Sequence, residues 1–306
     1  MRKALLWAST NAWLRERAMR TPFVKRSVVT FMPGERMEDA IAAASALRPK
    51  RLNTILTRLG ENLAHVDDAR EVADHYLALF DRVKAAGLDA QISVKPTQLG
   101  YDQDRDVCFR YCVELLDRAV ATGNYLWLDM ESSPYVEGTI GLFTRLRERS
   151  DKVGIAIQAY LYRTPRDIEA LVPLGCAIRL VKGAYLEPAD VAYPAKKDVD
   201  EQYFTLAARL LQDDNRRPGA LVHIATHDLA LQARLQQVIA ERQVPQSRYE
   251  FAMLYGIQSG RQDELARAGV PTRCLISYGE YWFPWYMRRL AERPANVWFV
   301  VKNMFR

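Results

Sequence analysis

From residue 52 onward the chain alternates between short apolar runs and amphipathic helical patterns, and no other feature constrains its fold as strongly. Runs of strand type occur at Leu52–Leu59, Gln91–Val94, Tyr125–Met130, Val153–Gln158, Ala177–Val181, Leu221–Thr226, Tyr249–Leu254 and Thr272–Ser277. They are near-continuous in apolar character, as parallel strands are when both faces are covered. Between them lie stretches with helical spacing. The clearest is Val72, Tyr76, Leu79, Phe80 and Val83, which share one helix face. Others cover roughly 103–121, 136–149, 164–172, 198–213, 228–243, 258–268 and 283–292. Eight strand–helix units in about 250 residues predict an α/β fold, a closed (β/α)8 TIM-like barrel. The alternative, an open doubly wound sheet, usually carries a glycine-rich phosphate turn. The fifteen glycines form neither GxGxxG nor GxxxxGK[ST]. A helical pattern from Glu35 to Leu47, stopped by Pro49, places N-terminal helices before the barrel. The expected division is a helical arm over 1–50 and a catalytic barrel over 51–306.

The net charge of +6 belongs to the arm and not to the barrel. Residues 1–26 carry seven basic side chains against the single Glu16, and the remaining residues balance. A nucleic-acid binder would show its basic face on the folded body, so that class is disfavoured. The longest uncharged stretch, Ala4–Leu14, is too short to span a membrane. Trp7, Trp13 and Leu14 among the arginines would suit a helix resting on anionic lipid, against the plainer reading of a helix packed on the barrel. Cys108, Cys112, Cys176 and Cys274 form no CxxC pair and read as reduced thiols of a cytoplasmic protein.

Barrels of this type carry their chemistry at the C-terminal ends of the strands. Those positions hold Lys95, Asp129, Glu131, Gln158, Arg179, Lys182, Thr226 and His227. Arg179 interrupts an apolar strand, where a charge is costly unless paired or used. It could close a barrel layer as an Arg–Asp pair, and Lys95–Asp129 could likewise be a structural bridge. Gln158 could be a satisfied core amide, and Thr226 and His227 a helix cap. His223 and His227 lie four residues apart, but on a strand that is about 13 Å, too far for one metal ion. The last helix carries Arg288, Arg289 and Glu292. If it lies over the barrel mouth, its two guanidinium forks would bind a carboxylate; otherwise they are solvated surface. The cationic excess on this rim, with no nucleophile–base pair, points to an anionic substrate beside a phosphate-bearing cofactor.

The strings Ser93-Val94-Lys95-Pro96-Thr97, Leu128-Asp129-Met130-Glu131, Gln158-Ala159-Tyr160-Leu161-Tyr162-Arg163, Arg179-Leu180-Val181-Lys182-Gly183-Ala184-Tyr185, Ala225-Thr226-His227-Asp228, Tyr249-Glu250-Phe251 and Arg288-Arg289-Leu290-Ala291-Glu292 together resemble proline dehydrogenases of the short bacterial type. The resemblance runs over nearly the whole chain. It implies an FAD-dependent oxidation of L-proline to Δ1-pyrroline-5-carboxylate, with electrons passed to a quinone. By the same resemblance, Arg288, Arg289 and Lys95 would hold the proline carboxylate, and Asp129 would pair with Lys95. Arg179 would lie near flavin N5. Met130, Gln158, Lys182, Gly183, Ala184, Thr226, His227 and Glu292 would line FAD, while Tyr185 and Leu254 would wall the substrate ring. Two departures stand out. Leu275 and Ser277 occupy the places of a Tyr and a Pro common at the end of strand eight, and Ala252 stands where Gln is frequent. These changes raise the alternative of a dehydrogenase for hydroxyproline or another cyclic imino acid. A barrel without activity that serves as a binding protein is the third reading. The intact Lys95, Asp129, Arg179, Arg288 and Arg289 set argues against it. Oligomeric state is left open.

Overall fold

The computed structural model describes residues 28–61, 63, 65–212 and 217–292, and for 288–292 the backbone alone. Its strands are β1 (Asn53–Arg58), β2 (Ala90–Val94), β3 (Leu126–Leu128), β4 (Val153–Gln158), β5 (Ala177–Val181), β6 (Leu221–Ala225), β7 (Tyr249–Leu254) and β8 (Thr272–Tyr278). They pair in sequence order, all parallel, and β8 closes onto β1. A helix precedes β1, α1 (Met37–Leu47). One follows each strand: α2 (Asp68–Ala85), α3 (Arg105–Thr122), α4 (Val136–Arg147), α5 (Thr164–Leu171), α6 (Lys196–Leu210), α7 (Leu229–Glu241), α8 (Ser259–Arg267) and α9 (Trp282–Glu292). This is the closed (β/α)8 barrel expected from the alternation.

Side chains alternate across a strand, so the register sorts them into an inner and an outer set. The outer set includes Ile92, Val94, Leu126, Leu128, Ile155, Ile178, Leu180, Val222 and Ile224, all buried in the main apolar core. Helix α2 meets this core through Val72, Tyr76, Leu79, Phe80 and Val83, the face predicted from spacing. Each such side chain contributes about 1.5–3 kcal/mol through burial. The inner set mixes polar and apolar side chains. Successive register pairs run Ser93↔Trp127, Trp127↔Gly154, Ala156↔Arg179, Arg179↔His223 and His223↔Glu250.

Trp127 fills the middle of the barrel. A Cβ on Gly154 would lie 2.5 Å from its ring, so only glycine leaves the indole this space. The indole donates to Gln91 Oε1 at 2.7 Å. The His223 ring lies 4.2 Å away at an interplanar angle of 30°, and the Arg179 guanidinium sits 5.3 Å from the indole. Toward the N-terminal end, Arg273 donates to Glu250 at 2.5 and 2.8 Å and to Asp89 at 2.9 Å. Burial would raise the Glu250 carboxyl, but the charge and hydrogen bonds of Arg273 outweigh it and hold the carboxyl low. Burial lowers His223 to about 4, so its ring is neutral at neutral pH.

At the opposite end, Trp282, Phe283, Trp285 and Tyr286 of α9 form a second apolar cluster with Val28, Phe31, Met32, Leu59 and Ile257. Leu59 and Ile257 follow β1 and β7, so α9 and residues 28–32 sit on the C-terminal rim. A Cβ on Gly256, whose φ is +74°, would lie 1.7 Å from the Thr30 carbonyl oxygen, and glycine permits that approach. Helix α1 places Ala40 and Ala44 in the main core. All four cysteines are buried and free. Among the described residues no helix is long and apolar enough to cross a membrane. The basic segment 1–26 lies outside the described residues.

Candidate functional site

Asp129 organises the mouth of the barrel. It follows β3 and extends the pairing by donating its backbone N–H to Val94 O at 2.8 Å. Its carboxylate accepts from Arg179 Nη2 and from Ser93 Oγ, the latter at 2.8 Å. Ser93 Oγ in turn accepts from Arg179 Nη2 at 2.9 Å. Lys95 Nζ stands 3.8 Å from the other carboxylate oxygen. Both ion-pair readings made from the sequence therefore hold at once, with two cations sharing one carboxylate. Burial lowers the Arg179 guanidinium against the opposing charge of Asp129. Arg179 Nη1 is buried and has no hydrogen-bond acceptor among the described residues.

Glu131, two residues on, is 3% exposed. Its Oε1 accepts from Thr97 Oγ1 at 2.6 Å, and its backbone carbonyl accepts from Gln158 Nε2 at 2.9 Å. Its Oε2 is buried without a hydrogen-bond partner among the described residues. Gln158 ends β4 at the rim, and its amide is satisfied by the Glu131 carbonyl.

Lys182 donates to Asp200 at 2.5 Å and Asp228 at 3.0 Å, so its charge is matched by carboxylates. Burial would raise Asp228, but the hydrogen bond and charge of Lys182, with help from Lys196, bring it down to about 2. Asp228 also caps α7 by accepting from the backbone of Ala230 and Leu231. Capping therefore falls to Asp228 and leaves Thr226 and His227 to other contacts. Thr226 Oγ1 accepts from Asp228 N at 3.2 Å, and His227 Nε2 accepts from Leu254 N at 3.0 Å. His223 and His227 take separate partners and do not converge. Gly183, at φ +119°, abuts the Tyr160 ring, where a Cβ would lie 2.4 Å away. Ala184 and Tyr185 follow it, and Tyr185 Oη donates to Glu61 at 3.4 Å. Met130 is buried between Asp129 and Glu131. Leu254 and Leu275 are register partners on the inner face, as are Ala225 and Ala252. Ser277 is buried near the end of β8. The backbones of Arg288, Arg289 and Glu292 belong to α9 on this rim, while their side chains lie outside the described residues.

Ser93 and Thr97 were not singled out as site residues by sequence reasoning. The parity of β2 carries the signal for Ser93, because Gln91 and Ser93 are polar at alternate positions of an otherwise apolar strand. Thr97 lies in the loop after β2 and has no such periodic mark.

The family model for proline dehydrogenase matches residues 40–302. Proline dehydrogenase 1 of Bacillus subtilis (strain 168) is 35% identical over 276 residues, covering 90% of each chain. The proline dehydrogenase of Deinococcus radiodurans is 34% identical over 281 residues, covering 90% of this chain and 89% of its own. Among solved structures, proline utilization A (PutA) from Bdellovibrio bacteriovorus, inactivated by N-propargylglycine, superposes with a TM-score of 0.82 at 20% identity. That match covers 94% of this chain and 38% of the longer protein, so this chain spans well under half its length. At that identity the superposition speaks to fold alone. The family match and the curated relatives cover most of the chain, including the strands that carry Lys95, Asp129 and Arg179: the chain belongs to the proline dehydrogenase family.

Proposed function

We propose that this chain oxidises L-proline to Δ1-pyrroline-5-carboxylate with bound FAD and passes the electrons to a quinone. The observation that carries this reading is Arg179 Nη1, a buried cationic donor without an acceptor among the described residues at the mouth of the barrel. A buried donor of that kind is costly unless a bound group supplies the acceptor. FAD fits it, since the isoalloxazine ring offers acceptor atoms and gains negative charge on reduction. Met130, Gln158, Gly183, Ala184, Thr226 and His227 would line the cofactor, with Glu292 approaching from α9. Lys182 contributes here as part of a neutralised cluster and not as free positive charge.

FAD, when bound, supplies the two-electron acceptor. The protein supplies position and charge. Lys95, with Arg288 and Arg289, would draw the substrate carboxylate into the mouth. Asp129 fixes Lys95 and Arg179 relative to each other. Leu254 and Leu275 would hold the ring against an apolar wall that keeps water away. Arg179 places buried positive charge where negative charge develops. Protein reconstituted with FAD is expected to be yellow and to bleach when proline is added anaerobically. A colourless protein that FAD cannot reconstitute would favour a binding protein instead. Residues 1–26, if they rest on lipid, would bring the reduced enzyme near a membrane quinone.

Leu275 favours a second reading, of altered ring specificity. It lacks a phenolic oxygen and lies beside Leu254, with the small Ala252 on the same inner face. An apolar wall rejects an added ring hydroxyl weakly, by about 1–3 kcal/mol. Values of kcat/KM for proline and 4-hydroxyproline are therefore expected to differ by no more than about 5- to 150-fold. A preference for proline beyond a few hundredfold would sink this reading.

A further inference from the structure

Glu131 is the ionisable group at the mouth that the mechanism above leaves without work. Its side chain is almost wholly buried, one oxygen bound to Thr97 and the other unpartnered. Among the described residues, the charged groups that act on it are Lys95 after β2, Glu61 after β1 and Asp129 after β3. Arg179 of β5 reaches this cluster through Asp129, and the neutral Gln158 of β4 binds the Glu131 carbonyl. Lys95 is thus the cation that stabilises Glu131 in its ionised form, and Lys95 is also the proposed neighbour of the substrate carboxylate.

We propose that Glu131 is a positioning residue that takes up a proton when the substrate carboxylate docks beside Lys95, so that carboxylate binding and protonation of Glu131 are one linked event. The inference rests on the reading of this mouth as a carboxylate site. An arriving carboxylate offsets the field of Lys95 and brings a further negative charge near a group that already lacks a partner for one oxygen among the described residues. Both effects favour neutral Glu131. Burial has already raised this carboxyl to about 7 in the free protein, with Glu61 and Asp129 adding to the effect and Thr97 and Lys95 opposing it. The transfer balances simply. A proton leaves a buffer acid, an O–H bond forms on Glu131, and one negative charge disappears from the mouth as another arrives.

The test uses the FAD-loaded protein and a five-membered cyclic carboxylate lacking the ring nitrogen, which binds without turnover. Calorimetric titration near pH 8 in two buffers of different ionisation enthalpy measures protons taken up per ligand. Wild type is expected to take up close to one. Its affinity should fall by up to tenfold per pH unit above about 7. Glu131→Gln should take up none and lose that slope. Thr97→Val deletes the donor that stabilises the ionised form, so it should move the slope to higher pH; this variant keeps the test open if Glu131→Gln does not fold. Tight binding with no proton uptake in wild type, or unchanged uptake in Glu131→Gln, overturns the linkage while leaving the carboxylate site standing. No binding of the carboxylate to wild type overturns the site itself and this inference with it.

Discussion

Replacing Asp129 with alanine is expected to abolish measurable proline turnover and to remove about 3–5 kcal/mol of folding stability. The size follows from what the carboxylate holds. Arg179 is 2% exposed, and its ionic partner among the described residues is Asp129. Lys95 is buried nearly as far and leans on the same group. Alanine strips both cations of their countercharge in a largely buried place, which is costlier than the pair itself is stabilising. Ser93 would lose the acceptor for its hydroxyl as well. Asp129→Asn separates the two effects. It keeps an acceptor of the same shape, so it should recover part of the stability while leaving turnover far below wild type. Urea unfolding and steady-state rates on the same preparations measure both. If Asp129→Ala unfolds at the wild-type midpoint, the buried ion pair is not what holds the mouth together.

The barrel was legible in the sequence because its strands are buried on both sides. Outer apolar residues lie under helices, and inner positions interrupt them too rarely to break the runs. The same property hid the interior. Arg179, Glu250 and Arg273 each stand as a charge inside an apolar run, and by composition they are alike. Only their place along the barrel separates them. Arg179 stands at the middle of β5 and reaches toward Asp129 at the C-terminal mouth, whereas Arg273 and Glu250 are second in their strands, and Arg273 joins Glu250 to Asp89, which precedes β2. That makes Arg273, Glu250 and Asp89 a closure of the N-terminal end, where stability and not chemistry is expected. Trp127 was equally silent. Its position inside the barrel depends on Gly154 in the neighbouring strand, a contact that no local spacing records. The importance of Glu131 depends on Thr97, thirty-four residues away, and on an oxygen with no partner. Sequence reading could mark Glu131 as a rim carboxylate but had no access to its burial.

Arg179→Met is expected to lower kcat for proline by about 10²–10³, with a smaller change in KM, and to lower the reduction potential of bound FAD. Among the described residues the guanidinium is the deepest cation of the site, and its Nη1 is an unused donor. Methionine fills a similar volume above the Trp127 ring but brings neither charge nor N–H. Asp129 would still face Lys95 and Ser93, so the carboxylate is not stranded and the fold should survive, unlike in Asp129→Ala. Because a fixed buried charge acts most on the state that carries more negative charge, its loss should appear in the reduced flavin and in the barrier to reaching it. Arg179→Lys should recover only part of the rate, since an ammonium cannot reproduce two guanidinium nitrogens, one bound to Asp129 and Ser93 and the other free to donate. The decisive comparison is between potential and rate. A large loss of kcat with an unshifted potential would mean that Arg179 orders the site without acting on the cofactor. An unshifted potential and a wild-type kcat would remove it from the mechanism and leave it as the inner partner of Asp129.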